Sequence, residues 1–283
     1  MEIDFLKYKN KLNCKKMLIV EFLGAPYSGK TYIRNDIEKY LLKSDKKFYT
    51  YKKFLLSHYS KIDNNFFHKF IFLFLNYKYK DDIKKNKKLN KNKPQYKNHL
   101  LRKYLNNRVK FIKFELFKSF KKNNTKFVKL ILNFLNKIKI DHNREHDLMR
   151  WFIDITISYE LYKKIKIKNS LILDCEGFTH RLSSFMNKKY DESFINKYLK
   201  FAPVPDVLIY INENSSNCKK RIIKDNVTED VKKYSGSVQK SSLISKKIFK
   251  KIKNRCPNVF VINSRSYNAS IRKKILKSIL IKN

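Results

Sequence analysis

Short apolar runs alternate along the chain with segments whose apolar residues recur every three or four positions. The first run, MLIVEFL at residues 17–23, is typical of a buried parallel strand, and residues 31–43 after it have helical spacing. Strands alternating with helices predict an α/β fold with a mainly parallel sheet flanked by helices. The further predicted strands are 47–55, 170–178, 202–212 and 256–264, and the further predicted helices are 149–164, 216–226, 242–253 and 269–280.

The chain changes character between about residues 60 and 147, where long Lys- and Asn-rich stretches carry bulky apolar residues. Within this region, the apolar side chains of residues 126–140 line one face of a helix. We therefore predict a lysine-rich helical insertion at about 60–147. It interrupts a domain that covers residues 17–283, and a polar lead-in occupies residues 1–16.

The composition is strongly basic, with a formal net charge of +42 over 283 residues. Most of the cationic residues are lysines, accompanied by an excess of Asn, Ile, Tyr and Phe. An A/T-rich coding sequence favours these residues, so drift in composition accounts for the charge without a nucleic-acid partner. The four cysteines form no CxxC pair, and no apolar run reaches the length of a membrane span. We expect a cytoplasmic protein.

Residues 24–31, GAPYSGKT, match the pattern G-x-x-x-x-G-K-S/T. Gly24 and Gly29, two of the four glycines in the chain, permit a turn that points successive N–H groups at phosphate oxygens. Lys30 can reach the β- and γ-phosphates of a nucleoside triphosphate, and the Thr31 hydroxyl can hold Mg²⁺. The positive end of the following helix dipole favours the same anion. The predicted nucleotide site consists of Gly24, Ala25, Pro26, Tyr27, Ser28, Gly29, Lys30 and Thr31.

A second candidate feature is the predicted strand SLILDCEGF at residues 170–178, which ends in a carboxylate. Beside a phosphate loop, Asp174 would bind the hydration shell of Mg²⁺. Glu176 would share this role or act on the acceptor, while Gly177 would allow the chain to turn away. The predicted metal ligands are Thr31, Asp174 and Glu176.

With these residues, the chain resembles the P-loop kinases of the nucleoside and nucleotide kinase type, in particular thymidylate-kinase-like proteins. The resemblance covers about residues 17–56 and 145–283. It implies a three-layer P-loop fold, the cofactors ATP and Mg²⁺, and phosphoryl transfer to a small-molecule acceptor. The segments that carry it are GAPYSGKT, LILDCEGFTHR, the P-x-P-D-V-L-I-Y-I run at 203–211, CKKR at 218–221 and VFVINS.

The resemblance also implies roles for basic residues. Arg221 matches a lid arginine that stabilises charge on the transferring phosphoryl group, and Arg181 matches the arginine that contacts the acceptor. Lys30, Asp174, Arg181 and Arg221 are therefore the predicted catalytic residues. Arg144 and Arg150 could face an anionic acceptor or lie on the surface.

The chain departs from the family at three points. Asp225 stands where the lid commonly has a second arginine, and Cys175 follows Asp174 where an arginine is usual. The insertion has no counterpart in a minimal thymidylate kinase. Because the insertion and the lid build the acceptor pocket in this family, the sequence does not predict the acceptor. It also does not predict the preference between ATP and GTP or the oligomeric state.

Three alternative functions stay open at this point. D-C-E-G at residues 174–177 fits the D-x-x-G of GTPase switches, although INENSS at residues 211–216 lacks the aspartate of N-K-x-D. H-N-R-E-H fits an inverted zinc-protease pattern, with His142 and His146 as ligands and Glu145 as the base. The basic helical region could also bind nucleic acid and couple it to ATP hydrolysis.

Overall fold

The computed structural model describes residues 18–44, 47–49, 112–138, 140–165, 170–175, 177–186, 190–224 and 238–281. They fall into two compact units. The described residues of the first unit lie within 18–49, 124–155 and 170–281. Those of the second lie within 112–123 and 156–165.

A five-stranded sheet forms the centre of the first unit, with every neighbouring pair parallel and the order β2-β3-β1-β4-β5. The three inner strands are almost entirely buried, because their apolar runs face helices on both sides of the sheet. The predicted α/β fold is confirmed. The strands are β1 (Leu18–Leu23), β2 (Lys47–Tyr49), β3 (Ser170–Asp174), β4 (Val207–Ile211) and β5 (Asn258–Ile262).

Most predicted helices are present with ends shifted by a few residues, and one begins much earlier than its apolar spacing indicates. That helix begins at His142 rather than residue 149, because the Asp141 carboxylate accepts a hydrogen bond from the Arg144 backbone N–H at 2.9 Å. The helices are α1 (Lys30–Leu41), α2 (Thr125–Lys137), α3 (His142–Lys164), α4 (Phe178–Met186), α5 (Glu192–Phe201), α6 (Ser215–Lys224), α7 (Val238–Ile252) and α8 (Ala269–Ile281).

Two apolar clusters hold the first unit together. In one, α1 and α8 pack against the inner strands through buried aliphatic side chains such as Ile37 and Ile275. In the other, aromatic rings of α2, α4 and α5 pack together, and the Phe134 and Phe194 rings stack with centroids 3.8 Å apart. Within it, the buried Tyr198 hydroxyl donates to the Phe178 carbonyl at 3.0 Å and thereby fixes the first residue of α4.

The second unit is helical in its described residues and encloses a buried carboxylate. Leu116, Phe120 and Leu161 are buried there, and the Ser119 hydroxyl donates to Glu160 at 2.7 Å. The predicted limits of the insertion stay a prediction, and most of its residues lie outside the described part of the chain. No described helix is long and apolar enough to cross a membrane.

Candidate nucleotide-binding site

The glycine-containing loop lies at the carboxyl end of the central strand. β1 ends at Leu23, residues 24–29 form the loop, and α1 begins at Lys30. β1 pairs with β3 on one side and β4 on the other, so the strand order reverses at this point. In open parallel sheets, the crevice outside the carboxyl ends of the strands at such a reversal is the usual ligand site.

The loop backbone has a conformation that requires glycine at two positions. Gly29 has a φ of +102°, and a Cβ there would lie 3.1 Å from the Ser264 Cβ. A Cβ on Gly24 would lie 2.8 Å from the Ser28 Oγ and 3.0 Å from the Ile211 carbonyl oxygen. Tyr27 also lies in the left-handed region, with a φ of +60°. At these two glycines the backbone lies too close to its neighbours to carry a side chain. The resulting tight turn forms a backbone cradle, which is the form of a phosphate-binding loop.

Polar groups in and beside the loop are arranged for an anion. The Lys30 Nζ donates to the carbonyl oxygens of Gly24 and Ala25 at 2.8 and 2.7 Å, so the ammonium group lies over the loop. The Ser28 hydroxyl is buried and makes no hydrogen bond within the described residues. Thr31 is exposed in the first turn of α1. These groups and the cradle fit the phosphates of a nucleotide.

Arg221, on α6, contacts this loop. Its Nη1 donates to the Tyr27 carbonyl oxygen at 3.0 Å, and its Nη2 donates to the Ser264 hydroxyl at 2.8 Å and to Glu213 at 3.2 Å. Burial acts to raise the pKa of Glu213. Hydrogen bonds from Ser264, Asn217 and the Asn214 N–H, with the Arg221 charge, outweigh burial and lower that pKa. Arg221 thus holds the left-handed turn at Tyr27, and its role in charge stabilisation stays a prediction.

Replacing Arg221 should destabilise the folded protein. The Glu213 side chain is 0% exposed, so Arg221→Met leaves a buried carboxylate without its counter-charge. We expect the free energy of unfolding to fall by about 2 kcal/mol in urea titrations. Lys220→Met, an exposed neighbour on α6, is the control and should stay within about 0.5 kcal/mol of the wild type. Equal stability of the two variants would contradict the anchoring role.

Two carboxylates lie side by side on neighbouring strands next to the loop. Asp174, half-buried at the end of β3, pairs in register with Glu21 on β1. Glu21 is buried, and its two oxygens accept hydrogen bonds from the Phe178 and Thr179 N–H groups, each at 3.1 Å. Glu21 was not among the predicted site residues. Glu176 lies outside the described residues, so its predicted role is unchanged.

Gly177 makes a close contact that the sequence does not predict. Its φ is outside the left-handed region, but a Cβ there would lie only 2.0 Å from the Glu21 Cδ. The absence of a side chain lets the carboxylate reach the first amides of α4, where the helix dipole favours a negative charge. Glu21 and Gly177 therefore fix the start of α4.

The pKa of Glu21 makes stability depend on pH. Burial, together with the neighbouring Asp174, raises the pKa of Glu21 from 4.5 to about 7, although the hydrogen bonds from α4 act to lower it. The folded state then binds a proton more tightly than the unfolded state. The resulting stabilisation is complete below about pH 4.5 and is lost as the pH rises through about 7.

Glu21→Gln should remove this loss. Between pH 5 and 8, we expect the free energy of unfolding of the variant to rise relative to wild type by about 2–3 kcal/mol, measured by urea titration at both pH values. Glu145→Gln on α3 serves as the control and should keep the wild-type pH dependence. An unchanged pH dependence in Glu21→Gln would show that Glu21 ionises normally.

The first turn of α4 brings a histidine and an arginine towards the loop. The Nδ1 of His180 is buried and makes no hydrogen bond within the described residues. Burial lowers the pKa of His180, and the charges of Lys30 and Arg181 lower it further. Lys30 and Arg181 therefore both act electrostatically on the His180 imidazole.

Arg181 also contacts the single tryptophan of the chain. Its guanidinium carbon lies 4.8 Å from the centroid of the Trp151 ring, and that of Arg144 lies 4.9 Å from the same centroid. Arg150, the other basic residue predicted near the acceptor, is exposed and pairs with Asp147 at 2.9 Å. Arg144 therefore contacts the same ring as Arg181.

The zinc alternative finds no support in the described residues. The side chain of His142 is fully exposed and lies 3.7 Å from the Glu145 carboxylate. The described part of the chain contains no group of three or more His, Cys, Asp or Glu side chains that could hold a metal ion. A magnesium ion would accordingly need oxygens from bound phosphates as well as from Thr31 and Asp174.

No protein-family model and no curated protein sequence matches the chain. Among solved structures, the chain is similar to a deoxyadenosine kinase from M. mycoides with bound dCTP. The identity is 11%, the TM-score is 0.41, and the match covers 93% of this chain and 98% of that chain. A structure of the M. mycoides deoxyadenosine kinase with the products dCMP and a flexible dCDP has 13% identity and the same TM-score and coverage.

These values are too low for the likeness to support a function. The fold stands on the chain's own five parallel strands and flanking helices, and it is the α/β P-loop fold that the resemblance implied. The particular resemblance to thymidylate-kinase-like proteins stays a prediction.

Proposed function

We propose that the protein transfers a phosphoryl group from ATP to a small-molecule acceptor. The observation that carries this proposal is the loop at residues 24–29, whose backbone forms a cradle at the end of β1 with the Lys30 ammonium group over it. A cradle of main-chain amides, an ammonium group and a helix N-terminus favours a polyphosphate, and phosphoryl transfer depends mainly on such positioning and charge.

Each predicted site residue has a role in this proposal. The backbone N–H groups of the loop at residues 24–31, which Pro26 lacks, hold the donor phosphates, and Lys30 neutralises charge on the transferring group. Arg221 keeps the loop in its binding conformation through its contact with the Tyr27 carbonyl oxygen, and stabilisation of charge on the transferring group is the second role that we propose for it. Arg181 orients the acceptor from the first turn of α4.

A magnesium ion, when bound, would neutralise phosphate charge and orient the leaving oxygens. Thr31, exposed on α1, and Asp174, half-buried at the end of β3, are the residues that would hold it. Glu176 is the third proposed ligand.

The experiment that tests the proposal is a screen of ATP consumption against nucleosides, nucleoside monophosphates, sugars and other small hydroxyl compounds. We expect at least one class to stimulate ATP consumption, with transfer of the γ-phosphate shown by mass spectrometry of the product. Parallel reactions use GTP and a nucleic-acid mixture. Preference for GTP without any acceptor would favour a switch, and stimulation by nucleic acid alone would favour a coupled ATPase.

A further inference from the structure

Tyr27 has a backbone conformation that favours glycine, although its side chain is large. Its φ of +60° lies in the left-handed region, between Gly24 and Gly29, whose φ values are also positive. In this region a Cβ raises the free energy of the backbone, so a bulky residue keeps such a conformation only where surrounding contacts compensate. The contacts of Tyr27 therefore determine whether the phosphate loop keeps its shape.

Two sets of contacts hold Tyr27. Its carbonyl oxygen accepts a hydrogen bond from Arg221 on α6 at 3.0 Å. Its side chain packs against an apolar cluster whose four members are each at most 3% exposed. This anchor cluster consists of Ala25 in the loop, Cys218 and Ile222 on α6, and Val238, the first residue of α7. The Tyr27 ring thus connects the phosphate loop to two helices.

Packing of the Tyr27 ring affects how tightly the loop binds phosphate. The cradle binds only when its N–H groups converge, so the apparent affinity falls in proportion to the fraction of molecules in which the loop has this shape. Burial of the ring stabilises this shape, because its apolar surface leaves water. Val238 supplies part of the packing surface, although α7 carries none of the predicted site residues.

We propose that Tyr27 is a positioning residue, whose ring, packed on α6 and α7, holds the phosphate loop in its binding conformation. Val238 consequently affects nucleotide affinity from α7, and it does so through Tyr27. The inference rests on the proposed function only in taking the loop as the phosphate site. Coupling of this kind is reciprocal, so a nucleotide in the loop also stabilises the packing of Val238.

The test measures hydrogen–deuterium exchange of the full chain during titration with a non-hydrolysable ATP analogue and Mg²⁺. Exchange in the peptide covering residues 24–31 gives a dissociation constant for the loop, so binding elsewhere on this basic protein does not contribute. The same peptide without the analogue reports whether the loop keeps its shape. The variants are Tyr27→Ala, Tyr27→Phe and Val238→Ala. Leu243→Ala is the control, because Leu243 is 57% exposed on the same helix as Val238.

We expect Tyr27→Ala to raise the dissociation constant about tenfold or more and to speed exchange of the unoccupied loop. Tyr27→Phe keeps the ring and should bring both values to within about threefold of the wild type. Val238→Ala leaves a smaller gap in the anchor cluster and should raise the dissociation constant about threefold, whereas Leu243→Ala should not change it. Wild-type values in Tyr27→Ala, or equal values in Val238→Ala and Leu243→Ala, would overturn the proposal, as would equal losses in Tyr27→Phe and Tyr27→Ala.

Combining two substitutions separates an effect through Tyr27 from a general loss of stability. In the Tyr27→Ala variant, adding Val238→Ala should leave the dissociation constant unchanged, and a further rise of about threefold would overturn the proposed route through the ring. Thermal midpoints are measured so that only folded variants are compared. If these effects appear but no compound accepts the γ-phosphate in the screen, the kinase proposal fails and the role of Tyr27 stands. If the analogue does not protect the wild-type loop, the phosphate site is wrong and this proposal fails with it.

Discussion

Lys30→Ala is expected to lower the rate of acceptor-dependent ATP consumption by about 10²–10³-fold, because it removes the ammonium group from the phosphate cradle. In the wild type, this ammonium group donates to the Gly24 and Ala25 carbonyl oxygens and lies over the loop. A positive charge at this position stabilises the transition state, because negative charge develops on the transferring group. The measurement is the initial rate at saturating ATP with the best acceptor from the screen.

Lys39→Ala is the matched control, since Lys39 is an exposed lysine on the same helix. It should keep the wild-type rate. The thermal midpoint of Lys30→Ala is measured alongside, so that unfolding is not mistaken for lost chemistry. A folded Lys30→Ala protein with the wild-type rate would refute the assignment of the loop.

Gly177→Ala is expected to lower the free energy of unfolding by about 2–4 kcal/mol. The new Cβ would lie 2.0 Å from the Glu21 Cδ, and the carboxylate is buried and hydrogen-bonded to two amides of α4. It cannot move aside without losing these bonds. The thermal midpoint should fall by roughly 5–10 °C, and turnover should fall as well because the start of α4 carries Arg181.

A second substitution distinguishes this contact from a general effect of alanine. If the clash is the cause, Glu21→Ala should recover part of the stability lost in Gly177→Ala, giving a favourable coupling in a double-mutant cycle. Ser184→Ala, on the same helix, should cost less than about 0.5 kcal/mol. Additive effects of Glu21→Ala and Gly177→Ala would show that the two residues do not touch.

The fold could be predicted from the sequence because two periodicities differ clearly along this chain. Apart from Glu21, MLIVEFL is a continuous apolar run, as is the run that ends at Ile211, whereas the buried residues of α1 recur at helical spacing, at Ile33, Ile37 and Leu41. The turn at residues 24–29 could also be predicted, because two glycines at this spacing before Lys-Thr are typical of a phosphate-binding loop. In these strands, helices and turn, residues close together in the sequence determine the local structure.

Residues whose roles depend on distant contacts could not be predicted in the same way. A signal for Glu21 was present, as it is the one charged residue in the β1 run, but its partners Phe178 and Thr179 are far along the chain. Trp151 carries no motif, and its contact with Arg181 joins residues far apart in the chain. Helix α3 begins earlier than its apolar spacing predicts, because the Asp141 side chain caps its first turn.

Arg221 shows the limit of assigning a role from a family motif. Its position after β4 pointed to a lid arginine, and residues 225–237, where the predicted lid continues, lie outside the described part of the chain. The contacts to Tyr27, Ser264 and Glu213 add a second role in holding the loop. A position in the sequence cannot distinguish a side chain that supports the loop from one that acts on the phosphates.

The most direct test of the central claim is hydrogen–deuterium exchange of the loop amides with and without Mg²⁺ and a non-hydrolysable ATP analogue. At saturation, we expect the peptide covering residues 24–31 to exchange at least about tenfold more slowly, with α2 as the unaffected reference. Lys30→Ala should weaken this protection. If exchange across residues 24–31 stays unchanged while the analogue binds, the loop does not hold the phosphates and the account is wrong.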